Sequence, residues 1–192
     1  MKLIFATQNQ HKAKEIQQMM PVGIEIKTLR DIGCHEDIPE TADTLEGNAA
    51  MKAQYVVDHY KVNCFADDTG LEIDSLNGEP GVYSARYAGE EKNAENNMDL
   101  VLKKLNGVQN RKARFRTVIS LMLDGEEHQF EGIVNGTIRQ ERSGTEGFGY
   151  DPIFQPDGYT QTFSEMSMEE KNKISHRGRA IQKLVKYLSS LS

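Results

Sequence analysis

Cys64-Phe65-Ala66-Asp67-Asp68-Thr69-Gly70-Leu71-Glu72-Ile73-Asp74 is the stretch around which the chain is organised. The apolar run from Val62 to Ala66 reads as a buried strand that two adjacent carboxylates close. Thr69-Gly70 is expected to turn the chain, and the alternation Leu71-Glu72-Ile73-Asp74 reads as a second strand. Carboxylates at the mouth of a buried strand cost free energy unless a cation faces them. A hard divalent ion such as Mg2+ would meet that need and would also hold a phosphorylated substrate. Neighbouring residues of a strand point to opposite faces, so if the strand persists only one of Asp67 and Asp68 faces the ion. A plain polar turn between two strands fits the same residue types.

Toward the N-terminus, Lys2 to Ala6 is an apolar strand, followed by Thr7-Gln8-Asn9-Gln10-His11-Lys12 and a helix with Ala13, Ile16, Gln17 and Met20 on one face. Strand, polar loop, helix is a layout suited to anions, because unpaired N–H groups at the helix start and the helix dipole both favour negative charge. Thr7 and Asn9 can donate hydrogen bonds, and Lys12 can reach a phosphate. There is no glycine-rich Walker pattern, so an ordinary capping loop with a solvated lysine is the alternative. Ile24 to Leu29 reads as a strand and Asp31 to Asp43 as irregular chain. Thr44 is expected to cap a helix from Leu45 to Tyr60, with Ala49, Ala53, Val56, Val57 and Tyr60 on its apolar face and Lys52 toward its polar side. Glu40 is the second carboxylate available to a metal; it fits an exposed loop equally well.

Toward the C-terminus, Leu76 to Gly81 is a turn cluster. Arg86, among Tyr83 and Tyr87, suits either a carboxylate or phosphate fork or an ion pair with Glu72 or Asp74. Asn93 to Leu105 is an amphipathic helix with Met98, Val101, Leu102 and Leu105 in the core. Ala113 to Asp124 alternates, and Gly125-Glu126 turns it into His128 to Val134, an antiparallel hairpin or meander. Arg114 and Arg116 are placed on its solvated face, and Asn135-Gly136 marks a turn or bulge. In Ser143 to Pro152, three glycines flank Phe148 and Tyr150. A ring held on such a loop is a platform for a flat base, and Asp151 can accept a base N–H. The alternative folds these aromatics back into the core. Ser175 caps a last helix from His176 to about Leu188, which begins His176-Arg177-Gly178-Arg179. Cations at a helix start oppose the dipole, so they are either solvated or face an electron-rich ligand.

A chain of 192 residues without repeats or linkers is expected to form a single unit, one large domain or two lobes around one sheet. A net charge of −6, well mixed along the chain, argues against a nucleic-acid polymer or a membrane surface as partner. No run approaches membrane-spanning length, and the N-terminus lacks the long apolar core of a signal peptide. Cys34 and Cys64 read as reduced, buried thiols of a cytoplasmic protein.

Taken together, Ala6 to Lys12, Ala66 to Leu71, Pro80 to Gly89, Gly147 to Pro152 and Ser175 to Gly178 resemble, in order and over nearly the whole chain, the Ham1/RdgB (inosine triphosphate pyrophosphatase) family. The resemblance implies an α/β fold, with a long mixed central sheet flanked by helices and two lobes with a cleft between them. It implies a homodimeric, Mg2+-dependent enzyme that converts ITP, dITP and XTP to the monophosphate and pyrophosphate, keeping deaminated purines out of DNA and RNA. Carried over by position, Thr7, Gln8, Asn9, Gln10, His11 and Lys12 match the triphosphate loop. Asp68 matches the catalytic carboxylate and a metal ligand, and Glu40 a second metal ligand. Thr69 matches a substrate contact and Lys52 a phosphate-side lysine. Phe148, Gly149, Tyr150 and Asp151 match the base-binding loop, and Lys171, His176 and Arg177 match residues that hold the nucleotide and read its base. The chain departs from the family in carrying Gly47-Asn48-Ala49 where Glu-Asn-Ala is frequent, and Gln8 where glycine is common. A regulatory nucleotide-binding module, or a pyrophosphatase for methylated or pyrimidine triphosphates, are the competing readings.

Overall fold

The computed structural model describes residues 1–191, with the side chains of His11 and Glu15 excepted. Six strands form one sheet in the order β2-β1-β3-β4-β5-β6: β1 (Lys2–Phe5), β2 (Glu25–Thr28), β3 (Cys64–Ile73), β4 (Lys112–Leu123), β5 (Glu126–Ile138) and β6 (Phe154–Pro156). The helices are α1 (Gln10–Met19), α2 (Leu45–Tyr60), α3 (Ala94–Lys104), α4 (Met168–Ile174) and α5 (His176–Ser189). β1 pairs in parallel with β2 and β3, whereas β5 and β6 are antiparallel, so the sheet is mixed and the fold is α/β. Asp124 and Gly125, both at positive φ (51° and 85°), make the two-residue turn that joins β4 to β5.

The chain divides into two compact units. The first comprises residues 1–68, 117–131 and the chain from 180 onward. Here the period-two alternation of the strands builds two apolar layers. Leu3, Phe5 and Phe65 pack with Ala13 and Ile16 of α1 and with Ile181 and Leu184 of α5. Ile4, Ala6, Cys64 and Ala66 pack with Ala53 and Val56 of α2. The second unit comprises residues 69–116 and 132–179, with Leu71, Ile73, Met98, Val101, Leu105, Phe115, Tyr150, Phe154 and Phe163 in its core. Leu102 packs against that core from a partly buried position, as its helical spacing predicts.

The capping signals hold. Thr44 Oγ1 accepts from the Gly47 N–H at 3.0 Å, and Ser175 Oγ accepts from the Gly178 N–H at 3.0 Å. Both cysteines are buried and unpaired with each other. Among the described residues no helix is long and apolar enough to cross a membrane.

Four expectations need correction. Thr69-Gly70 does not turn the chain, because β3 is one ten-residue strand. Leu71 and Ile73 are fully buried and the Leu71 N–H is bonded to Ser84 Oγ at 2.9 Å, contacts that keep the backbone extended. Asn135-Gly136 likewise lies inside β5. Gly136 is paired with Pro156, and a Cβ there would meet the Phe154 ring at 2.6 Å, so this glycine serves the close approach of β6. Arg116 is not solvated. Its side chain is 14% exposed and faces Glu72 at 4.0 Å, while Arg114 bonds the same carboxylate at 2.7 Å. With Glu72 so engaged, Arg86 lies instead over the Tyr83 ring, 5.2 Å from its centroid. Finally, α4 was not expected, although Ser167 and Glu170 form a reciprocal capping box at its start, a signal the sequence carries.

Candidate active site

The alternation that builds the first unit's core also aims its two central carboxylates. Asp67 continues the face of Phe65, toward α1, and its Oδ2 lies 3.4 Å from Lys12 Nζ. Asp68 continues the face of Ala66, toward α2, and its Oδ2 accepts from Asn48 Nδ2 at 3.1 Å. The two adjacent aspartates therefore serve opposite faces of one strand, as the persistent strand requires. Lys52, one turn after Asn48 on α2, pairs with Glu40 at 2.7 Å and donates to the Asp67 carbonyl. Glu40, Asp67, Asp68, Lys12 and Lys52 thus form one acid–lysine cluster.

Burial, reinforced by the negative charges of Glu40 and Asp67, pushes the Asp68 carboxyl up to about 6, against the opposing effects of Lys52 and Asn48. Burial works against the Lys52 charge, but Asp67, Glu40 and Asp68 outweigh it and raise its pKa. The cluster holds more negative charge than its two lysines balance. That is the donor chemistry a hard divalent cation meets. Among the described residues no three His, Cys, Asp or Glu side chains converge as a ready-made cage. Mg2+ needs none, since it is usually held by one or two carboxylates together with substrate phosphates. Glu40 and Asp68 fit that role.

The loop before α1 is folded by its own side chains. Thr7 Oγ1 accepts from the Asn9 N–H at 3.1 Å, and Asn9 Oδ1 from the Lys12 N–H at 3.2 Å. Gln8 donates to the Cys34 carbonyl at 3.0 Å and Gln10 to Thr28 Oγ1 at 2.9 Å. Both glutamines thereby moor the loop to its neighbours. The expected contact of the His11 side chain lies outside the described residues.

Thr69 opens the second unit and lines a cavity of about 340 Å³ together with Ser84, Phe115, Phe148, Gly149, Tyr150, Asp151, His176 and Arg177. Phe148 stands 62% exposed at its mouth. Lys171 Nζ and the Arg177 guanidinium lie 4.8 and 5.8 Å from the Phe148 ring centroid. His176 stacks on Phe115 with centroids 4.7 Å apart. Asp151, expected to accept from a base, is buried: its Oδ2 accepts from Lys171 Nζ at 2.6 Å and from the Phe148 N–H at 3.1 Å. It braces the loop and the lysine. Tyr150 folds back, its hydroxyl donating to the Ser84 carbonyl at 2.6 Å, which bears out the core alternative for that ring.

Gly147 sits at φ +77°, and a Cβ there would collide with the Asp151 carboxylate. Gly147→Ala is therefore expected to cost about 1–2 kcal/mol in backbone strain and to displace the Phe148 loop. Chemical denaturation of the variant against wild type should read that loss.

Asn48 beside Asp68 and Phe115 in the cavity wall were not expected. Asn48 was legible in principle, four residues before Lys52 on one helix face. Phe115, which the sequence places only on one face of its strand, also lies in the second unit's core.

The Ham1 family model matches residues 3–187. A dITP/XTP pyrophosphatase of Flavobacterium johnsoniae is 57% identical over 190 residues, covering 99% of each chain. The Ham1 protein structure from Staphylococcus aureus superposes with a TM-score of 0.95 at 38% identity over 100% of both chains. A Mycobacterium abscessus structure described as a nucleoside-triphosphatase / dITP/XTP pyrophosphatase gives 0.83 at 40% identity, covering 96% of this chain and 99% of its own. A match over nearly the whole length, in sequence and in fold, means that this chain belongs to the Ham1 family.

Proposed function

We propose that this protein is a nucleoside triphosphate pyrophosphatase that hydrolyses non-standard purine nucleoside triphosphates (ITP, dITP, XTP) to the monophosphate and pyrophosphate. The observation that carries the reading is β3 itself. Asp68, held in an acid–lysine cluster with its pKa raised to about 6, is followed directly by Thr69, which lines the aromatic cavity. Full-length likeness to relatives named dITP/XTP pyrophosphatase supports it.

In this reading Asp68 takes the proton of a water that attacks the α-phosphorus, and pyrophosphate leaves. A carboxylate with a pKa near 6 is both largely ionised at neutral pH and basic enough to accept that proton. Lys12, Lys52 and the N–H groups at the start of α1 neutralise the phosphates. When held by Glu40, Asp68 and phosphate oxygens, Mg2+ supplies the remaining positive charge. Phe148 stacks on the base, with Lys171 and Arg177 on its ring. His176 and Arg177 donate to a 6-oxo group; adenine would bring an amino donor to the same place and leave buried groups unpaired, a mismatch worth up to about 10⁴-fold. The protein acts in the cytoplasm, as its two unpaired buried cysteines suggest, and as a homodimer, inferred from the family resemblance.

The test is product identity. ITP incubated with Mg2+ should give equal amounts of IMP and pyrophosphate, and neither with EDTA. IDP and phosphate would mean a different bond is cleaved. Tight nucleotide binding without turnover would identify a regulatory module instead.

A further inference from the structure

The Asn48 side chain is 97% buried, and both ends of its amide are engaged. Oδ1 accepts from the Ala42 N–H at 2.9 Å, and Nδ2 donates to Asp68 Oδ2 at 3.1 Å. The Ala42 N–H can only donate, so it fixes the orientation of the amide, and the end presented to Asp68 must be the NH2. Ala42 lies two residues after Glu40, on the segment that precedes α2. One amide therefore ties the segment carrying Glu40 to the carboxylate of Asp68.

The segment has other moorings on the same helix. Lys52 pairs with Glu40 at 2.7 Å, and the hydroxyls of Tyr55 and Tyr60 both donate to Glu36. Asn48, Lys52 and Tyr55 fall on one face of α2 at spacings of four and three residues. Asn48 grips Asp68 by its side chain.

We propose that Asn48 is a positioning residue for the reaction. It holds Asp68 by Oδ2 in a fixed orientation, and it fixes the distance from Asp68 to Glu40. The inference rests on the assignment of Asp68 as the base. Since Asn48 acts through Asp68 and the Glu40 segment, its loss should reach kcat and cation binding while sparing nucleotide affinity.

The test uses the full-length protein with Asn48→Ala and Asn48→Asp. Asn48→Ala removes both hydrogen bonds. Asn48→Asp keeps the acceptor for the Ala42 N–H but loses the donor to Asp68. Both should lower kcat for ITP by about tenfold or more, in line with the loss of a charge-assisted hydrogen bond, with KM within about twofold of wild type. For Asn48→Ala, Mn2+ binding followed by water-proton relaxation should weaken several-fold. Thermal unfolding reports separately on folding. Asn48→Asp also sets a second buried carboxylate against Asp68, a cost that Asn48→Ala does not carry, so Asn48→Ala decides the matter if Asn48→Asp does not fold. A folded Asn48→Asp protein with wild-type kcat, or an Asn48→Ala protein of lower stability whose kcat and Mn2+ affinity are unchanged, would overturn the proposal and leave Asn48 a structural residue only. Failure of the wild-type protein to hydrolyse ITP would instead sink the functional reading on which the proposal rests.

Discussion

Asp68→Asn should abolish most ITP turnover and at the same time stabilise the metal-free protein. Removing a general base lowers kcat by about 10²–10⁴-fold. The stability effect follows from the raised pKa. Burial first, then Glu40 and Asp67, move Asp68 from its ordinary 3.8 to about 6 in the folded state. Above pH 6 the folded protein must keep this group ionised against its surroundings, a cost the unfolded chain does not share. That cost is fully present above the folded pKa and fades as pH falls from about 6 to below 4, where both states are protonated. Asparagine carries no such penalty and can still accept from Asn48. Thermal unfolding in EDTA should therefore show the variant melting above wild type at pH 8, with the difference lost near pH 4. A variant no more stable than wild type at pH 8 would contradict the electrostatic account of the cluster.

Lys171→Met carries the second large effect. Lys171 and Asp151 form a pair with side chains 9% and 5% exposed and a 2.6 Å contact. Removing one partner of a buried pair leaves the other charge uncompensated and costs about 3–5 kcal/mol. Chemical denaturation should read that loss directly. Adding Asp151→Asn should restore most of it, because the asparagine can still accept from the Phe148 N–H while no buried charge remains. Nucleotide KM should stay high in both variants, since the ammonium beneath the Phe148 ring is gone. A single variant as stable as wild type would mean that the pair is solvated and does not brace the base loop.

The parts of this architecture that local chemistry controls were legible. Thr44 and Ser175 cap their helices because a hydroxyl meets an unpaired N–H at the helix start, and that pattern is local. Asp68 was visible because a carboxylate at the mouth of a buried strand needs a cation, and Lys12 because it follows a strand and loop suited to anions; Lys52 came only from the family resemblance. What failed was long-range. Thr69-Gly70 and Asn135-Gly136 have turn chemistry, but tertiary contacts from Ser84 and from β6 hold both stretches extended. The role of Asp151 was misjudged for the same reason. Its partner Lys171 is twenty residues away and lies on α4, a helix the sequence reading does not assign. Asn48 went unnoticed because its value depends on Ala42 and Asp68, which only the fold brings to the two ends of its amide.

In the proposed reaction Asp68 carries the phosphate chemistry, and His176 and Arg177 read the base. The most direct measurement is kcat/KM for pyrophosphate release from ITP, XTP, GTP and ATP in the presence of Mg2+. The account predicts values for ITP and XTP at least about 100-fold above ATP, within the range a hydrogen-bonding base site can discriminate. Equal values for all four nucleotides would contradict it, leaving Asp68 as the base and removing His176 and Arg177 from the recognition of the purine.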